Sequence, residues 1–154
     1  GFVSDQALNM CYWRKKEVPV QKNIHRDNCG VLWFCPVVPA TTKDIEKATQ
    51  IIEDTCKEYN LETNLGFLCI GDRSLDLTGA ICFDKLLKKE SEEAIACHNE
   101  LLSRLLSEGY PAYRLGIQSM EMMEEYCTEE KMTLLNKLKE LLDPKEILSR
   151  GRYI

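Results

Sequence analysis

The sequence predicts an α+β domain of the ferredoxin-like type, in which an antiparallel sheet carries helices packed on one face. Apolar runs of strand length alternate with segments of helical periodicity in the order strand, helix, strand, strand, helix, strand, which is the split βαβ pattern. A length of 154 residues suffices for one domain with a sizeable core. We therefore expect a single domain over residues 1–154, with further helices after the last strand.

The expected elements are a helix at 4–16, strands at 31–38, 62–70, 75–83 and 110–114, and helices at 41–60, 90–108, 117–126 and 128–142. Ser4 is a typical N-cap, and the apolar residues after it fall on one helical face. The run at 31–38 is apolar, aromatic and β-branched, and Pro36 within it favours a sheet edge or a bulge. Thr41 or Thr42 caps the next helix.

Turn and cap residues delimit the second half of the chain. Residues 71–74, Gly-Asp-Arg-Ser, favour a hairpin connection of about four residues between the two central strands. Gly109 is placed to end the second long helix, and the aromatic segment 110–114 follows as a short final strand. Thr128 caps the last helix, and Asp143-Pro144 closes it.

Composition and charge exclude several functional classes. The 20 basic and 25 acidic residues give a net charge of −5, so nucleic acid or an anionic membrane would repel most of the surface. No apolar run approaches the roughly 20 residues that span a bilayer. No secretory signal is visible, which predicts a cytoplasmic location, and the missing initiating Met indicates a piece of a longer protein.

The cysteines and histidines predict no metal site. Eight cysteines are scattered among apolar neighbours without a C-x-x-C pair, so we expect free, largely buried thiols. The two histidines, His25 and His98, have no zinc-ligand spacing, and His98 lies beside an apolar stripe where a structural histidine is expected. Asp84 and Glu90 are the paired carboxylates considered for acid–base catalysis, but carboxylates at such a separation are common on solvated surfaces, and we expect that position for them.

One segment carries candidate chemistry. No G-x-S-x-G, P-loop or G-x-G-x-x-G motif is present. Residues 109–114 instead place the phenol hydroxyls of Tyr110 and Tyr113 beside the guanidinium of Arg114 at the end of a strand, a group that can hold an anionic oxygen. Taken alone, the same segment also fits a structural strand end with a surface arginine.

Several segments together resemble the C-terminal cap region of FAD-linked oxidases of the vanillyl-alcohol oxidase and 4-cresol dehydrogenase (p-cresol methylhydroxylase) family. The resemblance spans nearly the whole chain, and its specificity comes from the order and spacing of the segments. The Asp-Pro, Ile-Leu and Gly-Arg ending occurs throughout the wider superfamily. The segments are Cys11-Tyr12-Trp13-Arg14, residues 26–39, Gly109-Tyr110-Pro111-Ala112-Tyr113-Arg114, residues 142–148 and Gly151-Arg152-Tyr153.

The resemblance implies a cap that covers the flavin and shapes a phenol pocket, while a separate FAD-binding domain, absent from this chain, holds most of the cofactor. By that resemblance Tyr113 and Arg114 bind the phenolic oxygen. They would favour phenolate, which assists hydride loss from the para benzylic carbon to the flavin and leaves a quinone methide for water to attack. Arg114 and Arg152 are the expected cofactor-contacting residues. Asp76 is the candidate for proton transfer.

One position departs from the family pattern. Relatives that attach FAD covalently from the cap use His or Tyr about where this chain has Val31, and valine cannot form the bond. We therefore expect noncovalent FAD. Because the phosphate-binding part of the cofactor site has no counterpart in this chain, we also expect no activity in the isolated chain. The resemblance leaves oxygen, a cytochrome or another carrier open as electron acceptor, and it is compatible with an oligomer. The alternative is a stand-alone ferredoxin-like domain that binds a small ligand or a protein.

Overall fold

The computed structural model describes residues 4–148, which fall into two compact units divided between Tyr113 and Arg114. The first unit contains the sheet and two long helices, and the second contains two shorter helical segments. Their elements are a 3-10 helix η1 (Gln6–Tyr12), β1 (Cys29–Phe34), β2 (Val37–Pro39), α1 (Thr42–Glu58), β3 (Leu65–Gly71), β4 (Ser74–Asp84), α2 (Lys88–Ser107), a 3-10 helix η2 (Ile117–Tyr126) and α3 (Glu129–Leu142).

Strand β4 is the centre of an antiparallel sheet. It pairs with β1 and β2 along one side and with β3 along the other. Phe34 lies opposite Gly79 and Val37 opposite Asp76, so β1 and β2 keep one register across the interruption at Pro36. The predicted strand at 75–83 is β4, and it lies between the predicted strand at 31–38, which is β1 with β2, and the predicted strand at 62–70, which is β3. This order confirms the ferredoxin-like arrangement.

The predicted final strand is reduced to a single bridge between Ala112 and Pro36. Two hydrogen bonds flank that bridge: the Val37 amide donates to the Pro111 carbonyl at 2.8 Å, and the Tyr113 amide donates to the Cys35 carbonyl at 2.7 Å. The segment before Arg114 is thereby fixed to the outer edge of β1 and β2. The hairpin is also tighter than predicted, because Gly71 pairs directly with Ser74.

Helices α1 and α2 pack on one face of the sheet and against each other. The Thr41 hydroxyl caps α1 by accepting from the Asp44 amide at 3.2 Å, as its sequence predicts. Arg104 of α2 donates two hydrogen bonds to Glu58 of α1, at 2.9 and 2.8 Å, which links the solvent side of the helix pair. The core beneath it includes Val38, Ala48, Ile52, Leu77, Ile81, Ala94, Leu101 and Leu105.

In the second unit, the Thr128 hydroxyl caps α3 by accepting from the Lys131 amide at 3.3 Å. Asp143 ends the helix, because its carboxylate pairs with Lys139 at 2.7 Å and accepts from the amides of Ile147 and Leu148. The predicted helix at 117–126 is present as a 3-10 helix. The apolar stripe of α3 is solvent-exposed at Leu134, Leu138, Leu141 and Leu142.

Residues 4–148 contain no helix whose length and apolar character would let it cross a membrane. Over the same residues, no three His, Cys, Asp or Glu side chains are grouped as metal ligands. Four of the cysteines, Cys29, Cys56, Cys82 and Cys97, are buried as their apolar neighbours predict, whereas Cys69 on β3 is exposed.

Candidate functional site

The face of the sheet without α1 and α2, called here the second face, carries the candidate site. Successive side chains on a strand point to opposite faces, so Leu77 and Ile81 of β4 lie in the helix-covered core while the residues between them lie on the second face. Directly opposed residues of antiparallel strands share a face. The register therefore places Val31, Trp33, Cys35, Val37, Leu68, Asp76, Thr78, Ala80, Cys82 and Tyr113 on the second face.

The sheet brings two of the predicted catalytic residues to this one face. Tyr113 shares a row with Cys35 and Thr78, and Asp76 lies in the next row beside Val37. Since neighbouring strands lie about 4.8 Å apart, two spacings separate the Tyr113 segment from β4 by about 10 Å.

Tyr113 presents its ring to solvent, whereas Tyr110 does not. The Tyr113 side chain is 66% exposed, and its backbone is held by the Cys35 carbonyl. Tyr110 is buried, and its hydroxyl donates to the Asp44 carboxylate at 3.0 Å. Burial and that carboxylate raise the pKa of Tyr110. Tyr110 therefore anchors the segment to α1 through Asp44, and the expected placement of the phenol hydroxyls beside the Arg114 guanidinium stays a prediction.

The sequence predicts two cofactor-contacting arginines, Arg114 and Arg152. Arg114 follows Tyr113 directly, is exposed, and is the first residue of the second unit. Arg152 lies outside the described residues. The cofactor-binding role of both arginines stays a prediction.

Asp76 is a buried carboxyl on the second face. It is 7% exposed, and its Oδ1 atom has no hydrogen-bond partner among the described residues. Burial raises the pKa of Asp76, partly opposed by a hydrogen bond with Thr78. A carboxyl with a raised pKa and a free oxygen is suited to exchange a proton with a ligand.

Replacing Asp76 with Asn should stabilise the chain at neutral pH. Below the ordinary pKa of 3.8 the carboxyl is protonated in both the folded and the unfolded chain. As the pH rises, the unfolded chain ionises first, so wild type loses stability between 3.8 and the higher folded pKa. Asp76→Asn should therefore melt at a higher temperature than wild type at pH 7, and the difference should disappear below pH 3.8.

Asp84 on the same strand provides a control of opposite sign. Burial acts to raise its pKa, but hydrogen bonds from Lys15 and from the Leu86 amide outweigh burial and lower it. Asp84→Asn should therefore melt below wild type at pH 7. Thermal melts across pH measure both variants, and an Asp76→Asn variant that is less stable than wild type at pH 7 contradicts the assignment.

Val31 is the position at which the family resemblance predicts a flavin-linking residue in enzymes with covalent FAD, and its side chain is not a nucleophile. Val31 lies opposite Cys82 on the second face. Burial, together with the neighbouring Cys11 and Cys29 thiols, raises the pKa of Cys82 to about 11. The Cys82 thiol lies 3.3 Å from the Met10 carbonyl, to which it donates. The cross-strand neighbour of Val31 is thus a protonated, hydrogen-bonded thiol at neutral pH.

The remaining titratable candidates have structural partners. Asp84 pairs with Lys15 at 2.5 Å, and Glu90 pairs with Arg14 at 2.7 Å. Both carboxylates neutralise cations, but their side chains are only 16% and 12% exposed, so the expected solvated-surface position is wrong. A feature that the sequence does not reveal is a cavity of about 280 Å³ beside this network, lined by Trp13, Arg14, Glu62, Thr63, Asn64, Leu65, Ala80 and Cys82.

Comparison with known sequences identifies relatives of the whole chain. The family described as FAD linked oxidases, C-terminal domain, matches residues 115–153. The 1'-carboxy-chondrochloren decarboxylase of Chondromyces crocatus is 33% identical over 99% of this chain and 28% of its own length. The 4-cresol dehydrogenase [hydroxylating] flavoprotein subunit of Pseudomonas putida is 28% identical over 82% of this chain and 24% of its own length.

Solved structures share the fold. p-Cresol methylhydroxylase with substrate bound superposes with a TM-score of 0.74 at 28% identity, over 80% of this chain and 24% of that one. The 4-ethylphenol oxidase from Gulosibacter chungangensis, in its isoeugenol complex, superposes with a TM-score of 0.72 at 22% identity, over 82% and 24%. The chain thus spans about a quarter of the length of the relatives that it matches.

Proposed function

This chain belongs to the C-terminal domains of FAD-linked oxidases related to p-cresol methylhydroxylase, and from that premise we propose that it is the substrate-binding cap of an FAD-dependent oxidoreductase acting on para-substituted phenols. The observation that carries the proposal is the second face, where the exposed Tyr113 and the buried Asp76 lie two strands apart. A stand-alone ligand-binding domain would not account for the shared sequence with FAD-linked oxidases.

The second face is the surface that we propose contacts the planar cofactor and an aromatic substrate. Trp33 and Tyr113 are 51% and 66% exposed there, so flat apolar surface is available, and the Oδ1 atom of Asp76 lacks a partner among the described residues. A bound flavin would supply the hydride acceptor. We assign contacts with it to Arg114 and Arg152, and most of its binding to an FAD-binding domain of the same enzyme.

Tyr113 and Arg114 are proposed to bind the phenolic oxygen of the substrate. The Tyr113 hydroxyl donates a hydrogen bond, and the always-charged Arg114 guanidinium stabilises the phenolate over the phenol. Electron donation from phenolate weakens the benzylic C–H bond at the para position, so hydride departs more readily. The two side chains therefore act on the oxygen at one end of the ring to promote reaction at the other.

Asp76 is proposed to handle the proton of the following step. When water adds to the quinone methide, one proton must leave the attacking oxygen. The Oδ1 atom of Asp76 accepts it once the carboxyl is ionised. Burial keeps that carboxyl close to the protonated state, which suits a group that takes up and releases a proton in each turnover.

The function is tested by reducing the flavin with matched substrates. The full-length flavoprotein carrying this chain is mixed anaerobically with 4-ethylphenol or with 3-ethylphenol. We expect the para isomer alone to remove the absorbance of the oxidised flavin. Hydride loss from the para benzylic carbon gives a quinone methide stabilised by the phenolate oxygen, and hydride loss from a meta substituent cannot do so. Equal reduction by both isomers, or by neither, would contradict the proposed substrate class.

A second candidate is decarboxylation of a carboxylated aromatic substrate. The observation in its favour is the 33% identity with a protein named for a decarboxylase, over 99% of this chain. In the same anaerobic experiment, a para-substituted phenol bearing a side-chain carboxylate would release carbon dioxide as the flavin is reduced. Reduction without that release supports the first candidate.

The full-length enzyme is expected to hold FAD noncovalently. Val31 cannot form a bond to the cofactor, and the Cys82 thiol opposite it is protonated and hydrogen-bonded. Precipitation with acid should therefore leave the flavin in the supernatant. Cys82→Ala is the control: flavin that stays with the wild-type pellet but leaves the Cys82→Ala pellet would overturn this expectation and identify Cys82 as the attachment residue.

A further inference from the structure

A buried histidine of α2 contacts the edge strand of the candidate site. His98 is 1% exposed, and its Nε2 atom lies 3.0 Å from the Trp33 carbonyl oxygen. Burial lowers the pKa of His98, although the hydrogen bond to Trp33 opposes the effect. The imidazole is therefore neutral at neutral pH, and because a carbonyl oxygen only accepts, Nε2 carries the proton.

The Trp33 carbonyl lies on the outer edge of β1, away from β4. Backbone groups of alternate residues point to opposite edges of a strand. The backbone carbonyl of Pro36 points to β4, because it accepts from the Leu77 amide at 3.0 Å. The backbone groups of Cys35 and Val37 point outward and pair with the Tyr113 segment. The backbone carbonyl of Trp33, two residues before Cys35, therefore points outward as well. His98 therefore occupies the place of the next strand partner.

We infer that His98 is a positioning residue for the second face. By donating to the Trp33 carbonyl it completes the outer edge of β1 beyond the short Tyr113 segment, and it thereby holds Trp33 and Tyr113 in place. Trp33 presents a half-exposed indole to the same face, diagonal to Tyr113. The functional part of this inference rests on the proposed function, since it takes that face as the substrate surface.

A helical donor is required here because the final strand is too short. Among residues 4–148, a single bridge at Pro36 joins it to this edge, and the His98 side chain makes the hydrogen bond to the Trp33 carbonyl upstream. A partly buried carbonyl that loses its donor is destabilised, and the edge would relax toward water or a new partner. Such relaxation displaces the adjacent Cys35 carbonyl, which holds the Tyr113 amide.

Three variants of the full-length flavoprotein separate positioning from general stability. His98→Leu removes the donor and keeps an apolar side chain of similar size, whereas His98→Gln retains an N–H donor. Cys97→Ala is the matched control, because Cys97 is equally buried on α2 but its thiol is directed to the Thr55 carbonyl of α1. Hydrogen–deuterium exchange is followed at the Tyr113 amide, and kcat and KM are measured with 4-ethylphenol.

We expect His98→Leu to speed exchange at Tyr113 by about tenfold, which corresponds to the loss of one partly buried hydrogen bond. KM should rise by about threefold to tenfold with kcat within about twofold, because binding and not chemistry is disturbed. His98→Gln should restore both quantities, and Cys97→Ala should lower the melting temperature without changing either.

Exchange at Tyr113 that matches wild type in His98→Leu, or that rises equally in Cys97→Ala, overturns the inference. Failure of the proposed function gives a different result. In that case wild type does not oxidise 4-ethylphenol, while the exchange difference between His98→Leu and His98→Gln persists and supports the positioning of the face.

Discussion

Arg114→Ala should lower kcat/KM for para-alkyl phenols by about one to two orders of magnitude, because a charge-assisted hydrogen bond is worth roughly 1.5 to 3 kcal/mol. The loss in kcat should be larger than this if the guanidinium stabilises developing phenolate charge more in the transition state than in the bound substrate. Steady-state kinetics of the full-length flavoprotein measure both parameters. The exposed position of Arg114 makes a large loss of folding stability unexpected.

Conservative variants separate the charge from its geometry. Arg114→Lys should recover only part of the activity, because an ammonium cannot reproduce the planar guanidinium. Tyr113→Phe should cost less than Arg114→Ala, since one neutral donor is lost. Tyr110→Phe is the matched control: it breaks the buried hydrogen bond to Asp44 and should affect stability more than phenol specificity. Near wild-type kcat/KM in folded Arg114→Ala and Tyr113→Phe would place the pocket elsewhere.

Gly79→Ala should destabilise the chain by about 3 kcal/mol or prevent folding, at the upper end of overpacking effects. A Cβ atom at Gly79 would lie 2.2 Å from the Phe34 ring and 2.9 Å from the backbone carbonyl oxygen of Asn64. The ring is fully buried and the carbonyl belongs to the chain entering β3, so neither can move without disturbing the sheet. Urea denaturation measures the effect.

Gly71→Ala is the control in the same hairpin. A Cβ atom there meets nothing within 4 Å, so its free energy of unfolding should stay within about 0.5 kcal/mol of wild type. Adding Phe34→Leu to Gly79→Ala should give a smaller total loss than the sum of the single losses, because the shorter side chain leaves room for the methyl group. Additive losses would show that the ring contact is not the cause.

Local sequence determined the two long helices and the order of the elements. Apolar residues at helical spacing, such as Ala48 and Ile52 in α1, are the residues that the structure buries, and Thr41 forms the predicted cap. These features depend on neighbours within one or two turns, which a sequence displays directly. The starts of α2 and β3 differ from the predicted positions by two or three residues, because contacts outside the segment decide where pairing begins.

Both the sequence and the tertiary structure were needed to define the candidate site. The segment 109–114 and its resemblance to a flavin-linked family were visible in the sequence, and so was Asp76 as a titratable residue. Asp76 and Tyr113 share a face because of the strand register. Two pairings establish that register: residue 36 pairs with residue 112, and residue 37 pairs with residue 76. A shift of one residue would have placed them on opposite faces, and no local pattern in the sequence specifies that register.

The sequence by itself determined the fold class, the long helices and the family resemblance, because periodicity, turn residues and motif order are local properties of the chain. Only the tertiary structure decided the partners of Tyr110 and His98, which lie 66 and 65 residues away at Asp44 and Trp33. Hydrogen bonds over such separations form only after the sheet and helices have packed. The structure therefore distinguishes Tyr110 as an anchor from Tyr113 as the exposed phenol, although the two residues belong to one motif.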